Sequence, residues 1–269
     1  MLAILKLGGS ILCNKNIPFS IKWDNLDRIS MEIRNAIDKY NNNNEHGEYN
    51  NNDNSELSLI IIHGGGSFGH PVAKKYLNDK KDSNQFYNMK KGFWDIQKAM
   101  RRFNNIVIDE LHNYDIPAVS IQPSSFIAFN KEKIHFDTYV IEGMLKRGLV
   151  PVIHGDIVLD GERNYRIFSG DHALPYLTKK LKPNLSLHAS DVDGVLDSDK
   201  NVIEKINSEN IKEVLKYLKP SDKNDITGGM YLKVMESYKL GIKTLIFNGN
   251  IKGNIYNALL GNVKGTEIN

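Results

Sequence analysis

The chain has 269 residues, 41% of them apolar and 25% charged, with Lys and Arg outnumbering Asp and Glu by 35 to 32. These proportions are ordinary for a soluble globular protein with room for one large α/β domain or two small ones. The small positive balance comes without any basic block interleaved with aromatics, so nucleic acid has no platform, and no stretch approaches the roughly 18 apolar residues of a membrane span.

Residues 2–7, LAILKL, read as a buried strand running directly into Gly8, Gly9 and Ser10. The segment has no basic leader and no long apolar core, so it does not read as a secretory signal. Cys13 is the single cysteine. It cannot form an internal disulfide, reads as a small apolar filler, and fits a reducing, cytoplasmic setting. Lys15 in CNKN reads on its own as a solvated charge. WDNLDRISMEIRNAIDKY places Leu26, Ile29, Ile33 and Ile37 at helical spacing, with Asp24 or Asn25 as cap. The asparagine-rich run 41–54 has no apolar periodicity and is expected to be a disordered surface insertion.

LSLIIIH, residues 57–63, predicts a second buried strand, which opens into HGGGSFGHP. Gly64, Gly66 and Gly69 match the spacing G-x-G-x-x-G. A dinucleotide site would need an acidic residue about 20 positions on, at the end of the next strand; NQFYNMKKGF offers neither strand nor carboxylate. A P-loop would need Lys and Ser/Thr where His70 and Pro71 stand. What is left is a loop whose glycine amides can approach an anion, a helix expected over 71–78, and His70 as a donor. The same residues would also serve as a plain turn with His70 on the surface. His63 reads as structural.

GFWDIQKAMRRFNNIVIDELHNY predicts a long helix with Phe93, Ile96, Met100 and Phe103 on its apolar side. PAVSIQ follows as a strand, VIEGMLKRG as a helix and LVPVIHGD as a strand with a loop at its carboxyl end. DHALPYLTKKLKP predicts a helix despite Pro175, LSLHASDVDGV a strand entering a loop, MYLKVMESYKLG a helix, IKTLIFNG a strand and GNIYNALLG a last helix. Alternating apolar strands and helices predict a mainly parallel open sheet covered on both faces, with ligands at the carboxyl ends of strands.

Several loops add to the first two. Lys6 precedes Gly8-Gly9, so two glycine loops each carry a cation, which suggests two phosphate groups facing one another. Ser169-Gly170-Asp171 opens a helix, and Thr227-Gly228-Gly229 leads into another with Lys233 one turn inside. Asp191-Val192-Asp193-Gly194 reads as a turn or a calcium loop, but a glutamate at EF-hand spacing is missing.

As a set, Lys6-x-Gly8-Gly9-Ser10, the HGGG loop, Ser169-Gly170-Asp171, Asp191-Val-Asp193-Gly194 and Thr227-Gly228-Gly229-Met230-x-x-Lys233 resemble the amino acid kinase superfamily. The motifs run in that family's order over nearly the whole chain. HGGGSFGHP, IPAVSIQPSSFI and VIHGDIVLD are similar to the archaeal-type isopentenyl phosphate kinases within it. The resemblance implies a three-layer αβα sandwich around a mainly parallel open sheet, with an acceptor-binding half over about 1–165 and a nucleotide-binding half over about 166–269. It implies ATP and Mg²⁺, isopentenyl phosphate as acceptor, and a homodimer. By the same resemblance Lys6, Lys15 and Lys233 would meet the ATP phosphates, with Lys15 as transition-state stabiliser. Gly8, Gly9, Ser10 and Gly66 would supply backbone contacts to the nucleotide phosphates, and Asp191 and Gly229 would border the nucleotide. Gly65, His70 and Gly155 would hold the acceptor, and Asp171 would orient the lysines. Phe93, Ile96 and Met100 would line the tail pocket or belong to the core. Ser190 and Leu196 depart from the threonine and tyrosine common near the D-V-D-G loop. A fosfomycin-type kinase, another small-acceptor kinase of the superfamily, and a non-catalytic nucleotide-binding protein are the alternative readings.

Overall fold

The computed structural model describes residues 1–14, 16–45, 56–77, 85–218 and 229–269. The chain begins with β1 (Leu2–Leu7), α1 (Gly9–Leu12), α2 (Trp23–Glu45), β2 (Ser58–His63), α3 (Gly66–Leu77), α4 (Gln85–Asn113) and β3 (Ala118–Ile121). A middle section follows with β4 (Ala128–Asn130), β5 (Lys133–His135), α5 (Tyr139–Leu145), β6 (Val150–His154), β7 (Asp156–Asp160) and β8 (Asn164–Phe168). It ends with α6 (Gly170–Leu181), β9 (Leu185–Ser190), β10 (Lys205–Ile206), α7 (Ile211–Tyr217), α8 (Gly229–Leu240), β11 (Thr244–Asn248), α9 (Asn254–Leu259) and β12 (Thr266–Ile268).

Eight strands form one sheet in the order β10-β12-β11-β9-β1-β2-β6-β3, parallel at every pairing except β11 with β12. β1 lies between β2 and β9. Strands earlier than residue 155 extend the sheet to one side of it and later strands to the other. The chain order therefore reverses at β1, and the crevice outside its carboxyl end is where an open α/β sheet takes a ligand.

Alternation along the central strands divides the core. Ala3, Leu5, Leu7, Leu59 and Ile61 face the layer of α2, α3, α4 and α9, where Ile29, Ile33, Phe68, Phe103 and Leu259 are buried. Ile4, Ile60 and Ile62 face the opposite way, against Leu174 and Leu177 of α6 and Ile141 of α5. A third cluster packs α7 and α8 on the outer strands through Ile206, Val214, Val234 and Ile246. This is the three-layer αβα sandwich, and α2, α6, α8, α9 and the central strands fall where the sequence places them.

The structure departs from the sequence reading at several elements. A second sheet, β5-β4-β7-β8, was not expected: β4, β5 and β8 are short and partly exposed, and the apolar run of β7 follows β6 across Gly155 alone, where the sequence predicts a loop. α3 starts at Gly66 and passes through Pro71, ahead of the expected start at 71. Proline removes the N–H that Ser67 carbonyl would take in a regular helix; the Phe19 N–H supplies a partner instead, at 3.0 Å. α2 continues to Glu45, into the segment expected to be disordered. From Trp23 up to Gly47 the sequence has no glycine or proline, so each added residue extends an existing helix at little cost. The rest of that segment, together with Lys15, Thr227 and Gly228, lies outside the described residues.

Candidate active site

Lys6 is the fifth residue of β1 and, by alternation, points to the face covered by α6. It is 3% exposed. Its Nζ donates to Asp171 Oδ1 at 2.7 Å and lies 2.8 Å from His188 Nε2. Asp171 occupies the first turn of α6, where its charge is favoured by the helix dipole. Its other oxygen, Oδ2, accepts from Lys233 Nζ at 3.4 Å, and Lys233 also donates to the Gly229 carbonyl at 3.2 Å. One carboxylate thus bridges two ammonium groups from β1 and α8. Gly170 leaves room for this: a Cβ there would stand 3.1 Å from Lys6 Cε and 3.2 Å from Ile62 Cγ2.

Burial pushes Lys6 down to about 8, against the pull of Asp171, while Lys233 adds to the fall. Burial alone would raise Asp171, but Lys6 and Lys233 outweigh it and hold the carboxyl far below the usual carboxylate range. Burial, then Lys6, pushes His188 well below the ordinary imidazole value, so the ring is neutral and its Nε2 accepts from the Lys6 ammonium. With His188 neutral, the cluster carries two positive charges and one negative, a surplus of one. That suits a phosphate chain.

The two glycine loops meet directly. A Cβ on Gly9 would stand 2.6 Å from both Cα and N of Gly66, so backbone touches backbone only because both residues are glycine. Gly66 has φ +48°, which also favours glycine. The Gly8 N–H is committed to the Ala189 carbonyl at 2.9 Å, which leaves the amides of Gly9 and Ser10 at the open first turn of α1. Behind that turn, Lys22 Nζ donates to Ser10 O at 2.7 Å, Asn25 Nδ2 to Ile11 O at 2.9 Å and Lys22 N–H to Leu12 O at 2.9 Å. The loop's carbonyl end is therefore tied to the start of α2.

On the other side, His70 is exposed on α3 and its ring lies against Gly65: a Cβ on Gly65 would be 3.4 Å from His70 Cδ2. Gly155 closes on the same loop, its N–H donating to His63 O at 3.0 Å and its Cβ direction 3.6 Å from Gly65 N. His63 and His154 sit in register at the ends of β2 and β6, fully buried and stacked at 5.7 Å. Burial pushes each to about 4, so both are neutral supports beneath the loop. Asp191 is exposed just beyond β9, and its neighbour Asp193 accepts from Asn248 Nδ2 at 2.8 Å. Ile96 and Met100 are core residues, while Phe93 is half-buried against Tyr165, ring to ring at 5.0 Å.

The structure thus joins Lys6, Asp171, Lys233 and Gly229 in one cluster, and Gly9, Gly65, Gly66, His70 and Gly155 around adjoining loops. Sequence reasoning missed His188. The available signal was a histidine inside an apolar strand, opposite Lys6 once β9 is paired with β1.

A β1 switch point with two touching glycine loops and a lysine–aspartate–lysine cluster defines a protein that handles phosphoryl groups. The family model described as the amino acid kinase family matches residues 1–248, and the chain belongs to that family. Within it the chain groups with the isopentenyl phosphate kinases. It is 58% identical to the isopentenyl phosphate kinase of Methanocaldococcus jannaschii, over 100% of this chain and 98% of that relative. It is 36% identical to the one from Methanothermobacter thermautotrophicus, over 98% of each. Among solved structures, an isopentenyl phosphate kinase crystal structure superposes with a TM-score of 0.79 at 32% identity, covering 100% of both chains.

Proposed function

We propose that this chain transfers the γ-phosphoryl group of ATP to isopentenyl phosphate, releasing ADP and isopentenyl diphosphate. The observation that carries the reading is the Lys6–Asp171–Lys233 cluster beside two glycine loops in contact, one of which bears His70. Both reactants are anions, and their meeting needs fixed positive charge and oriented amides more than acid–base chemistry. Lys6 and Lys233 meet the donor phosphates, with Lys15 as the transition-state stabiliser. The amides of Gly9, Ser10 and Gly66 add donors to those phosphates, while Gly8 holds its loop to β9. Asp191 and Gly229 border the nucleotide.

His70, Gly65 and Gly155 hold the acceptor phosphate. An acceptor oxygen attacks the γ-phosphorus, the bond to the β–γ bridging oxygen breaks, and its electron pair leaves with ADP. The acceptor oxygen is already ionised near pH 7, so no side chain has to remove a proton. Mg²⁺, when bound with ATP, would supply charge neutralisation at the phosphates beside Lys6 and Lys233. Among the described residues no group of three His, Cys, Asp or Glu forms a separate cage for it. Residues up to about 165 make the acceptor half and those from about 166 the nucleotide half. We place the protein in the cytoplasm as a homodimer; among the described residues no helix is long and apolar enough to cross a membrane.

A coupled ADP-release assay with Mg-ATP tests the reading, run with isopentenyl phosphate, dimethylallyl phosphate, fosfomycin, acetylglutamate and carbamate as acceptors. Turnover should be fastest with a prenyl phosphate. Brisk turnover of another acceptor with none on either prenyl phosphate would reject it.

A further inference from the structure

We propose that His188 is a positioning residue for Lys6: its Nε2 takes one ammonium N–H, Asp171 takes a second, and the third is left fixed in direction for a donor phosphate oxygen. An ammonium has three N–H donors on a rotatable stem. In an open site it would spin, and each encounter with phosphate would cost rotamer entropy. Here two of the three are spoken for, at 2.7 Å to Asp171 Oδ1 and 2.8 Å to His188 Nε2. Tetrahedral geometry then sets the third.

Three observations place His188 in this role. β1 and β9 pair in parallel with Lys6 opposite His188, so the backbone ladder itself sets their separation. Leu187 and Ala189 belong to the core on the α2 side, so alternation turns His188 to the α6 side, where Lys6 and Asp171 are. The ring is 2% exposed and lies 3.6 Å from Asp171 Oδ1, so it closes the charge cluster without adding a charge. A purely apolar residue would fill the space but leave Lys6 with a buried, unsatisfied donor free to turn.

The proposal rests on Lys6 meeting the ATP phosphates, and the test separates the two ideas. Glutamine in place of His188 can present its Oε1 near the Nε2 position; asparagine stops one bond short, and leucine has no acceptor. We expect His188→Asn and His188→Leu to lower kcat about tenfold to a hundredfold, with a smaller change in KM for ATP. His188→Gln should retain most of kcat. Urea unfolding midpoints of the three variants show whether folding accounts for the loss, and if the leucine variant does not fold, the Gln–Asn pair still decides. Equal kcat in the Gln and Asn variants, whether both high or both low, overturns the proposal. Lys6→Met is run beside them. If it keeps full turnover, the placement of Lys6 itself fails and the proposal goes with it; if it is inactive while His188→Asn is fully active, only the role of His188 is lost.

Discussion

At Lys6 two forces oppose each other: burial strips water from the ammonium, and Asp171 at 2.7 Å returns part of what is lost. The balance leaves Lys6 near 8, so the free enzyme sheds this charge as pH rises through that value. We expect kcat/KM for ATP to fall on the alkaline side with a limb near pH 8. In Asp171→Asn the nearest anion is gone, Lys6 loses its proton more readily, and the limb moves to lower pH with a lower plateau. A limb that stays in place in this variant would show that another group titrates there. His70 makes a separate prediction in the other half of the site. Removing a hydrogen bond to a charged group costs about 1.5–3 kcal/mol, or roughly tenfold to a hundredfold. His70→Ala should raise KM for isopentenyl phosphate by that factor and leave the Kd for ATP nearly unchanged, as calorimetric titration would read. Equal losses for both ligands would place the histidine in the wrong half.

Among the elements, α2 holds two distant parts of the chain together. Near its start Lys22 and Asn25 take carbonyls at the end of α1. About two to three turns on, buried Glu32 accepts from the N–H groups of Gly253, Ile255 and Tyr256 at 2.8, 3.0 and 3.2 Å, so it caps α9, and it pairs with Arg28 at 2.7 Å. Glu32→Ala leaves those donors and Arg28 without their carboxylate. It should cost about 2–4 kcal/mol, seen as a lower urea midpoint with KM values kept. An unchanged midpoint would mean water replaces the carboxylate. Glu32 illustrates where sequence reading stops. The helix was legible from Leu26, Ile29 and Ile33 because their spacing is local. The cap was not, because its partners lie 221–224 residues away and nothing local marks a glutamate as buried. The site divides the same way. Lys6, Gly9, His70, Asp171 and Lys233 stand at a strand end and in opening helical turns beside short glycine motifs, whose residue types carry the signal. His188 acquires meaning only through strand pairing. The small sheet stayed hidden because strands such as Lys133–His135 are too short and exposed to show a period.

For the whole molecule, the fold brings two reactants together by ending two strands side by side. β1 and β2 pair in register up to Leu7 opposite His63, so the loops that leave them start level. The Gly64 N–H then bonds the Leu7 carbonyl at 3.2 Å, and Gly9 packs on Gly66 with no side chain between. On the proposed assignment of donor and acceptor sides, these backbone contacts set their relative position. Gly9→Ala tests that claim. Its Cβ would meet Gly66 N and Cα at 2.6 Å, and backbone cannot swing aside as a flexible side chain can, so the two loops must part. Each side keeps its own groups, with the Lys6 and Lys233 donors held by Asp171 on one side and His70 on the other. Binding of each substrate alone should weaken less than about tenfold, or ~1.4 kcal/mol. Transfer depends on in-line approach, where a displacement of about 1 Å costs roughly a hundredfold. We therefore expect kcat to fall by that order while Kd for ATP and for isopentenyl phosphate, each titrated alone, rises by less than about tenfold. If kcat survives within a few-fold, the contact does not set the register. If one substrate loses binding and the other does not, the loops act separately, and the strain has been absorbed on that side alone.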